Sequence, residues 1–586
     1  MWLRQWTRRL LAIGLFAICC GSTTPGYAEL RTDFLMDSDP KLNIPDPVMH
    51  FSPELKSLWL TALERPEADM QRLAAETIAR GHQYGVPDLM EAVPRLESLL
   101  LADTSQPATR FAAARALIVL ESRNSSDVLF QVSQKYEADL RQLIEPALAT
   151  WNFAPAIPLW KERLGNSETR PRDLILALRG LAKVREPSAK SALLAIVHDE
   201  SRSADVRMEA AAAAGQCESS GLEPDAVRLA HHTSKLQLVN SICTCRLLAR
   251  HDSEAARTLL IELAGHQRSI VATSALNRLL EIDSTLVLPL AETAINHTDP
   301  NVRRAGAAAY LQHPTPERIA FVSRLLADTH PDVRREVCEN LFRLSDQNEL
   351  IESIRTIINN LLVQETWQGQ EQAALLAGML KHQPASSRLV ELLESPRAEV
   401  GISSAWALRK VAVPETIPAI IDKVSRQTER RRHVSEPPLD EQVAHLCEAL
   451  GVLKANDAES LLVRYIPKDP FMGEKSRCAA VSALGLIKQE KRDSELEDKL
   501  RDRIRDFSDV DPELDTVKEK CAVTLARMKA VELAPQLRGI AQSDAIGTRL
   551  SIALRWAVKE LTGEDLPPVE PPRLPRGNWF LEPYTR

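Results

Sequence analysis

The chain contains few glycines and few aromatic residues: 21 Gly among 586 residues, with Phe, Trp and Tyr together at 4%. Ala and Leu are abundant instead, and this composition favours helices that pack closely through small side chains. Cysteine is sparse and irregularly spaced, which excludes a disulfide framework. Together these scarcities favour an all-α chain.

Common catalytic and cofactor signatures are missing from the sequence. It contains no GxSxG, HExxH, GxxxxGK[ST], GxGxxG or CxxCH segment. The segment Asp37-Ser38-Asp39-Pro40-Lys41 resembles the start of a calcium loop but lacks the Gly and Glu that such a loop requires. Carboxylate pairs are too common on charged helices to nominate a general acid and base. We therefore predict no catalytic residue, no cofactor and no resident metal ion.

One local cluster departs from this pattern, and within 21 residues it contains His231, His232, Cys243, Cys245 and His251. A metal site would require four of these side chains to converge from two helices, and the alternative is His at helix ends with buried Cys. A disulfide between Cys217 and Cys243 also stays open, since an exported protein can form one.

Long apolar runs are scarce as well. Leu10–Cys20 is an apolar or Gly run of 11 residues, too short to span a bilayer stably. Arg4, Arg8 and Arg9 precede it, and Gly26-Tyr27-Ala28 follows it with small residues at the two positions that a signal peptidase reads. Residues 1–28 are therefore predicted to be a cleavable signal peptide, and the protein to be exported to the periplasm or the medium.

Two other interpretations of this segment stay open: an uncleaved signal anchor, and a lipoprotein modified at Cys19 or Cys20. Removing residues 1–28 takes away three Arg and no acidic residue, which changes the net charge from −7 to −10. Such a chain has no general attraction to nucleic acid or anionic lipid. We expect no nucleic-acid partner and no membrane span after cleavage.

A repeated helix start runs through most of the chain. Asp299-Pro300-Asn301-Val302-Arg303 leads into an Ala-rich stretch, and His330-Pro331-Asp332-Val333-Arg334 and Ala204-Asp205-Val206-Arg207 lead into similar ones. Each combines an Asp cap or a first-turn Pro with an apolar stripe at helical spacing. Taking the Arg as the slot position of a repeat gives fifteen units, spaced 31 to 42 residues apart.

Ten of the fifteen slots hold a basic residue: Arg72, Arg110, Arg141, Arg172, Arg207, Arg303, Arg334, Arg477, Lys518 and Arg549. The other five hold Asn240, Val271, Gln370, Gly401 and Val443. A period of this length with two helices per unit predicts an α-solenoid over residues 53–563, a curved rod on the order of 120–150 Å long.

The pattern Asp/Pro-x-x-Val-Arg-x-x-Ala-Ala-x-x-Leu resembles the HEAT repeat, and especially the short HEAT-like units of phycobilin lyases. This resemblance implies that the slot Arg side chains form a structural ladder between neighbouring repeats. It is nearly silent about function, because one fold hosts many functions. Extended solenoid surfaces suit protein partners, so we expect a non-catalytic protein–protein interaction scaffold with an unidentified partner. The alternatives are a cofactor handler of the bilin-lyase type and a nucleic-acid-binding HEAT protein.

Two insertions interrupt the repeat, near residues 425–440 and 488–512. The first carries Arg426, Arg430, Arg431 and Arg432 before two prolines, which predicts either a solvated loop or a loop that binds an acidic partner. The second has alternating charges and predicts a lengthened helix with surface ion pairs.

The segments outside the repeats are rich in proline. Residues 29–52 predict an extended lead-in, and residues 564–586 a Pro-rich tail that follows Gly563, a helix stop. The tail ends in Trp579, Phe580 and Tyr584. Because exposed aromatic side chains are unfavourable in water, we expect this tail to pack as a cap on the last repeat, the alternative being a ligand for a partner.

Overall fold

The computed structural model describes residues 39–45, 51–52, 54–136, 138–431, 437–469, 471–543, 548–567 and 579–581. These residues form helices joined by turns and contain no strand. The predicted signal peptide and most of the predicted lead-in lie outside the described residues. Among the helices described, none is both long and apolar enough to span a bilayer.

The α-helices are α1 (Leu55–Leu63), α2 (Ala68–Gln83), α3 (Val93–Leu101), α4 (Pro107–Val119), α5 (Ser126–Lys135), α6 (Ala138–Thr150), α7 (Ile157–Gly165), α8 (Pro171–Val184), α9 (Lys190–His198), α10 (Ala204–Cys217), α11 (Glu223–Ala230), α12 (Gln237–Leu247), α13 (Glu254–Ala264), α14 (Ser269–Asp283), α15 (Leu288–Ile295), α16 (Pro300–Gln312), α17 (Pro316–Val322), α18 (Pro331–Leu344), α19 (Asn348–Val363), α20 (Trp367–Met379), α21 (Ser386–Leu392), α22 (Ala398–Val411), α23 (Ile417–Arg431), α24 (Pro437–Val452), α25 (Glu459–Val463), α26 (Glu474–Ile487), α27 (Ser494–Ile504), α28 (Asp515–Arg527), α29 (Ala534–Ser543) and α30 (Arg549–Thr562).

The helix boundaries follow the local sequence. At the start of α16, the Asp299 side chain accepts a hydrogen bond from the Asn301 backbone N–H, and Pro300 occupies the first turn. These two residues satisfy or remove backbone donors that a helix start leaves unpaired. At the other end of the chain, α30 stops at Gly563, whose φ of 77° only glycine adopts readily.

Each odd-numbered helix pairs with the even-numbered helix that follows it, and the pairs stack in chain order as fifteen repeats. In the ninth repeat the partner of α18 is the 3-10 helix Ser323–Ala327, which continues α17. The predicted α-solenoid is confirmed, and all fifteen slot residues lie in even-numbered helices. Successive even-numbered helices pack against each other more extensively than successive odd-numbered ones. The layer with the closer packing lies on the inside of a curve, so the even-numbered helices form the inner, concave face.

Glycines let the inner helices approach closely. A Cβ added to Gly451 of α24 would lie 2.6 Å from the Cα of Ala483 in α26, and one on Gly485 would lie 3.1 Å from the Cα of Thr524 in α28. Neither glycine has room for a larger side chain. Close contact within the inner layer, and looser contact within the outer one, curves the stack.

The chain termini cross the opening of this curve. Trp579, from the C-terminal tail, packs on the first repeat: its ring centroid lies 5.6 Å from that of Trp59, whose indole N–H donates to the carbonyl of Phe580 at 2.6 Å. Asp39, before the first repeat, pairs with Lys520 of α28 at 2.5 Å. The start of the tail packs on the last repeat, as expected: Arg555 donates to the carbonyl of Pro567 at 2.7 Å, and Lys559 pairs with Asp565 at 2.8 Å. Its aromatic end docks instead on the first repeat.

These crossings constrain the overall shape. Twelve residue-to-residue steps lead from 567 to 579, and such a stretch spans at most about 43 Å when fully extended. The two ends of the solenoid therefore lie within roughly that distance, although fifteen repeats have a contour of about 120–150 Å. The predicted rod is curved into a nearly closed ring.

The insertions differ from their predictions. Arg426, Arg430 and Arg431 lie in the last turns of the 15-residue helix α23 and not in a loop. In the second insertion, α27 is an ordinary 11-residue helix, and the additional residues form the connections on either side of it. The lengthened helix predicted there is wrong, because Asp493 caps α27 by accepting from the Leu496 N–H and so starts it late.

Candidate binding surface

Several slot arginines form the predicted ladder. Arg303 makes two 2.6 Å bonds to the carboxylate of Asp328, and it also donates to the carbonyls of His297 and Thr298 after α15. The Arg303 side chain therefore donates hydrogen bonds to carbonyl groups just after an outer helix, and its ion pair links this repeat to the next.

Arg477 repeats this arrangement in α26. It donates to both oxygens of Glu513, at 2.8 and 2.7 Å, and to the carbonyls of Tyr465 and Ile466. Its side chain is buried, and so is that of Glu513. Removing one partner of such a pair leaves an uncompensated buried charge, so these arginines belong to the framework of the solenoid.

The remaining basic slots fall into two groups. Ladder contacts with a neighbouring unit, or with the turn that precedes the slot helix, are made by Arg110, Arg141, Arg207, Arg334 and Arg549. Three slots differ: Arg72 pairs within α2 with Asp69 and Glu76, Lys518 pairs with Asp515 of its own helix, and Arg172 is exposed.

Two open grooves lie on the inner face. The first, of about 390 Å³, is lined by residues of α8 and α10 and by Arg185 just after α8. It presents Arg179 and Lys183 beside Glu209, whose carboxylate lies 2.6 Å from Arg179. Because inner helices and the turn after them provide its whole lining, this groove faces the space enclosed by the ring.

The second groove, of about 460 Å³, spans four successive inner helices, α18, α20, α22 and α24. Glu371, Glu399 and Glu441 line it. Burial raises the pKa of Glu371, and the guanidinium of Arg334 opposes that shift. Arg334 and Arg335 also line this groove, so its three carboxyl groups leave a small excess of negative charge, which favours a basic ligand.

A third section of the inner face, on α26 and α28, is filled. There the carboxylate of Asp39 lies 2.5 Å from the ammonium of Lys520 and 3.6 Å from the guanidinium of Arg527, and it accepts from Ser482 Oγ at 3.2 Å. Burial lowers the pKa of Arg527. Burial also acts to lower the pKa of Lys520, but the carboxylates of Asp39 and Glu519 outweigh it and hold that pKa above its ordinary value.

The arginines of the segment near residues 425–440 differ in burial. Arg431 is buried and donates to Ser476 Oγ at 2.8 Å and to Asp440 at 3.2 Å, so it joins α23 to α26 and α24 and is inaccessible to a partner. Arg426 is exposed but pairs with Glu394 and Asp422. Arg430 is exposed beside a cavity of about 410 Å³, and Arg432 lies outside the described residues.

The His and Cys cluster does not form a metal site in the part of the chain that the structure describes. His231 and His232 are exposed and face Glu262 and Glu200, whereas Cys243 and Cys245 are buried. Cys217 and Cys243 are both free thiols. The two Cys of α12 are two residues apart and so point to different sides of the helix.

Comparison with solved structures decides the fold. A structure of Kap95p, which binds RanGDP, is similar over 86% of this chain and 72% of its own, with a TM-score of 0.51 and 15% identity. Importin beta is similar over 87% and 72%, with a TM-score of 0.49 and 13% identity. The protein has the fold of a HEAT-repeat solenoid. No protein-family model matches the sequence, and no curated protein resembles it significantly.

The contacts that the sequence did not predict join residues of distant segments. Sequence reasoning missed Asp39, Lys520 and Arg527, because their proximity depends on the closure of the ring. It also missed the acidic groove, whose three glutamates come from three repeats. The only local signal was Asp39-Pro40, the segment that resembles a calcium-loop start.

Proposed function

We propose that this HEAT solenoid is a non-catalytic scaffold of the cell envelope or the medium, and that it binds a protein partner on its inner face. The observation that carries the proposal is the continuous inner layer of fifteen even-numbered helices, with two open grooves of opposite charge character. A surface of this kind offers an extended partner many separate contacts.

The similarity to Kap95p supports the same class of function. That protein binds RanGDP, and its likeness to this chain extends over most of both chains. At 15% identity the likeness concerns architecture alone. The partner contacts proposed for the two grooves therefore rest on the residues of this chain alone.

Export rests on the sequence of residues 1–28, with its basic start, short apolar run and small residues before Glu29. The net charge of −10 that follows cleavage opposes nucleic-acid binding. A cofactor-handling role would place a pigment in one of the grooves, and a visible absorption band in the purified protein would reveal it.

The test is photo-crosslinking in the living cell, with a photoreactive residue placed either on the inner or on the outer face. Gln216 and Glu399 are exposed inner positions beside the two grooves. Glu162 of α7 and Glu352 of α19 are exposed outer positions and serve as matched controls. An affinity tag is inserted after Val510, which is 95% exposed, because a tag at either end would disturb the docked termini.

We expect one envelope or secreted protein to crosslink to the inner positions and not to the outer ones, and the N-terminus of the purified chain to be Glu29. Equal crosslinking from both faces, or none from the inner face, contradicts the scaffold. An intact Met1 in the cytosol contradicts export.

A further inference from the structure

Asp39 lies outside every repeat, yet its side chain is only 14% exposed against the inner face. Its three described partners come from two successive inner helices: Ser482 from α26, and Lys520 and Arg527 from α28. A carboxylate that is almost withdrawn from water needs such charge-assisted contacts. The inner face therefore contains a built site for a carboxylate.

The cations of this site belong to the solenoid and are set in place by it. Lys520 is 8% exposed and also contacts Glu519 at 3.1 Å, while Glu519 accepts from Arg549 of the next repeat at 2.7 Å. This network holds the ammonium of Lys520 at a fixed point. Two residues beyond the slot, where Lys520 stands, no other repeat carries Lys or Arg, and two of them carry Glu209 and Glu336. The site is therefore specific to this repeat.

Unfilled space adjoins the carboxylate. Pro40 borders a cavity of about 310 Å³, and Trp556, Arg527 and Glu560 line its other sides. A volume of that size accepts one or two side chains. The section thus combines a carboxylate clamp with an adjacent slot beside an aromatic ring, which suits an extended segment in which Pro follows Asp.

Beyond Asp39 and Pro40, the described part of the resident segment is largely exposed. Of residues 39–45, Lys41, Asn43 and Ile44 are exposed, and the segment is not helical. Its affinity derives from a few side chains and from its covalent link to the first repeat, which gives a tethered ligand an effective concentration in the millimolar range. A free ligand with similar contacts must compete with that concentration.

We propose that this section of the inner face recognises an extended acidic segment of the protein partner, with Asp followed by Pro, and that Asp39-Pro40 is the resident occupant which the partner displaces. This inference rests on the proposed scaffold function and specifies the chemistry of one of its contacts. The partner's segment places its Asp carboxylate between Lys520 and Arg527 and its Pro beside Trp556.

The test uses the purified full chain and an acetylated, fluorescently labelled peptide with the sequence of residues 39–45. Binding is followed by fluorescence anisotropy at low and at physiological salt. The variant Asp39→Asn removes the resident charge and keeps the side-chain shape. In the wild type the resident Asp39 occupies the site, so the apparent affinity for the peptide is reduced in proportion to the fraction of molecules whose site is empty. We therefore expect Asp39→Asn to bind the peptide at least about tenfold more tightly than the wild type.

Adding Lys520→Met to Asp39→Asn is expected to abolish the gain. The matched control adds Lys499→Met, which removes an exposed lysine of the outer helix α27, and this variant is expected to keep the gain. A peptide in which Asn replaces its Asp is expected not to bind. Circular dichroism verifies that each variant keeps the helix content of the wild type.

Two outcomes overturn the inference: no binding of the peptide to folded Asp39→Asn, or equal binding after Lys520→Met. Formation of a dimer that Asp39→Asn abolishes also overturns it, because the occupant would then be the same segment of a second copy. The peptide assay is independent of the cell, so its failure leaves the inner-face crosslinking result standing, and a failure of crosslinking leaves the peptide result standing.

Discussion

Burial controls the chemistry of the cysteines beyond the predicted signal peptide. All seven are free and buried. Withdrawal from water raises the pKa of the Cys217 and Cys243 thiols to about 11, and that of Cys245 to about 12. A thiol is nucleophilic only as the thiolate, so these side chains act as small apolar residues in the core.

We predict that the folded chain reacts very slowly with iodoacetamide at pH 8. With a pKa of about 11, the thiolate fraction there is on the order of 10⁻³, and it rises as the pH approaches the pKa. Mass spectrometry after a timed pulse would measure the labelling, with the chain in urea as the control that labels fully. Rapid labelling of Cys217 or Cys243 in the folded chain contradicts the burial described.

At the same scale, sequence and structure agree where contacts are local. Arg303 was predictable as a framework residue because Asp299-Pro300 fixes the start of its helix, and its carbonyl partners lie only five and six residues before it. Arg431 was not, because its burial depends on Ser476 from another repeat. Charge runs indicate solvated surfaces only where no neighbouring element covers them.

The inner helices depend on glycine at their contacts. Gly451→Ala would place a methyl group 2.6 Å from the Cα of Ala483, and a backbone atom cannot yield as a side chain does. We expect this variant to lower the free energy of unfolding by about 1–3 kcal/mol, as overpacking commonly does. Urea unfolding followed by circular dichroism is the measurement.

Gly539→Ala is the matched control. Gly539 is exposed within α29, and a Cβ there meets no atom within 4 Å. Because Ala has the higher helix propensity, this substitution is expected to stabilise the chain by about 0.5–1 kcal/mol. Equal effects of the two substitutions would mean that the inner helices are not in close contact.

Helices were the most predictable elements. The caps at Asp299 and His330 and the stripe that follows each one identify α16 and α18 from sequence alone. The insertions were less so, because length alone does not distinguish a longer helix from a longer connection. Asp493 caps α27 and so sets the residue at which this helix begins, a role that only the structure shows.

At the scale of the whole molecule, we expect the packing of Trp579 on the first repeat to keep the ring closed. It is 7% exposed and packs against Phe51, Trp59 and Tyr84, with the guanidinium of Arg80 4.3 Å from its ring centroid. Truncating a buried Trp costs about 3–5 kcal/mol, more than a short tail retains by other contacts. We expect Trp579→Ala to release the tail and let the ring open.

Spin labels at Ser98→Cys in the third helix and Glu560→Cys in the last would measure the opening, since both positions are exposed. The distance between them should become longer and more broadly distributed in Trp579→Ala. Phe471→Ala, which truncates an aromatic side chain that is 46% exposed, should leave it unchanged. An unchanged distance in Trp579→Ala would show that curvature alone closes the ring.

The sequence could not predict this closure. The pairs Trp59–Phe580 and Asp39–Lys520 are separated by 521 and 481 residues. Their meeting depends on the small rotation of each repeat relative to the last, summed over the stack. The sequence pattern identifies each repeat but not the summed rotation, so the aromatic end of the tail was expected on the last repeat.

Repeat proteins ordinarily fold by local steps, and each repeat needs only its neighbours. The docking of the two terminal segments is not local. Whether each segment reaches its docking site depends on the number of repeats and on the rotation and rise of each repeat. Deleting one repeat would shift and turn the far end by about one helix layer, roughly 10 Å, and place both docking sites out of register. The tail follows the last repeat, so it can dock on the first repeat only after the last repeat has stacked. The contacts of the two terminal segments therefore depend on the number of repeats, and both sets form only in a solenoid that has all fifteen.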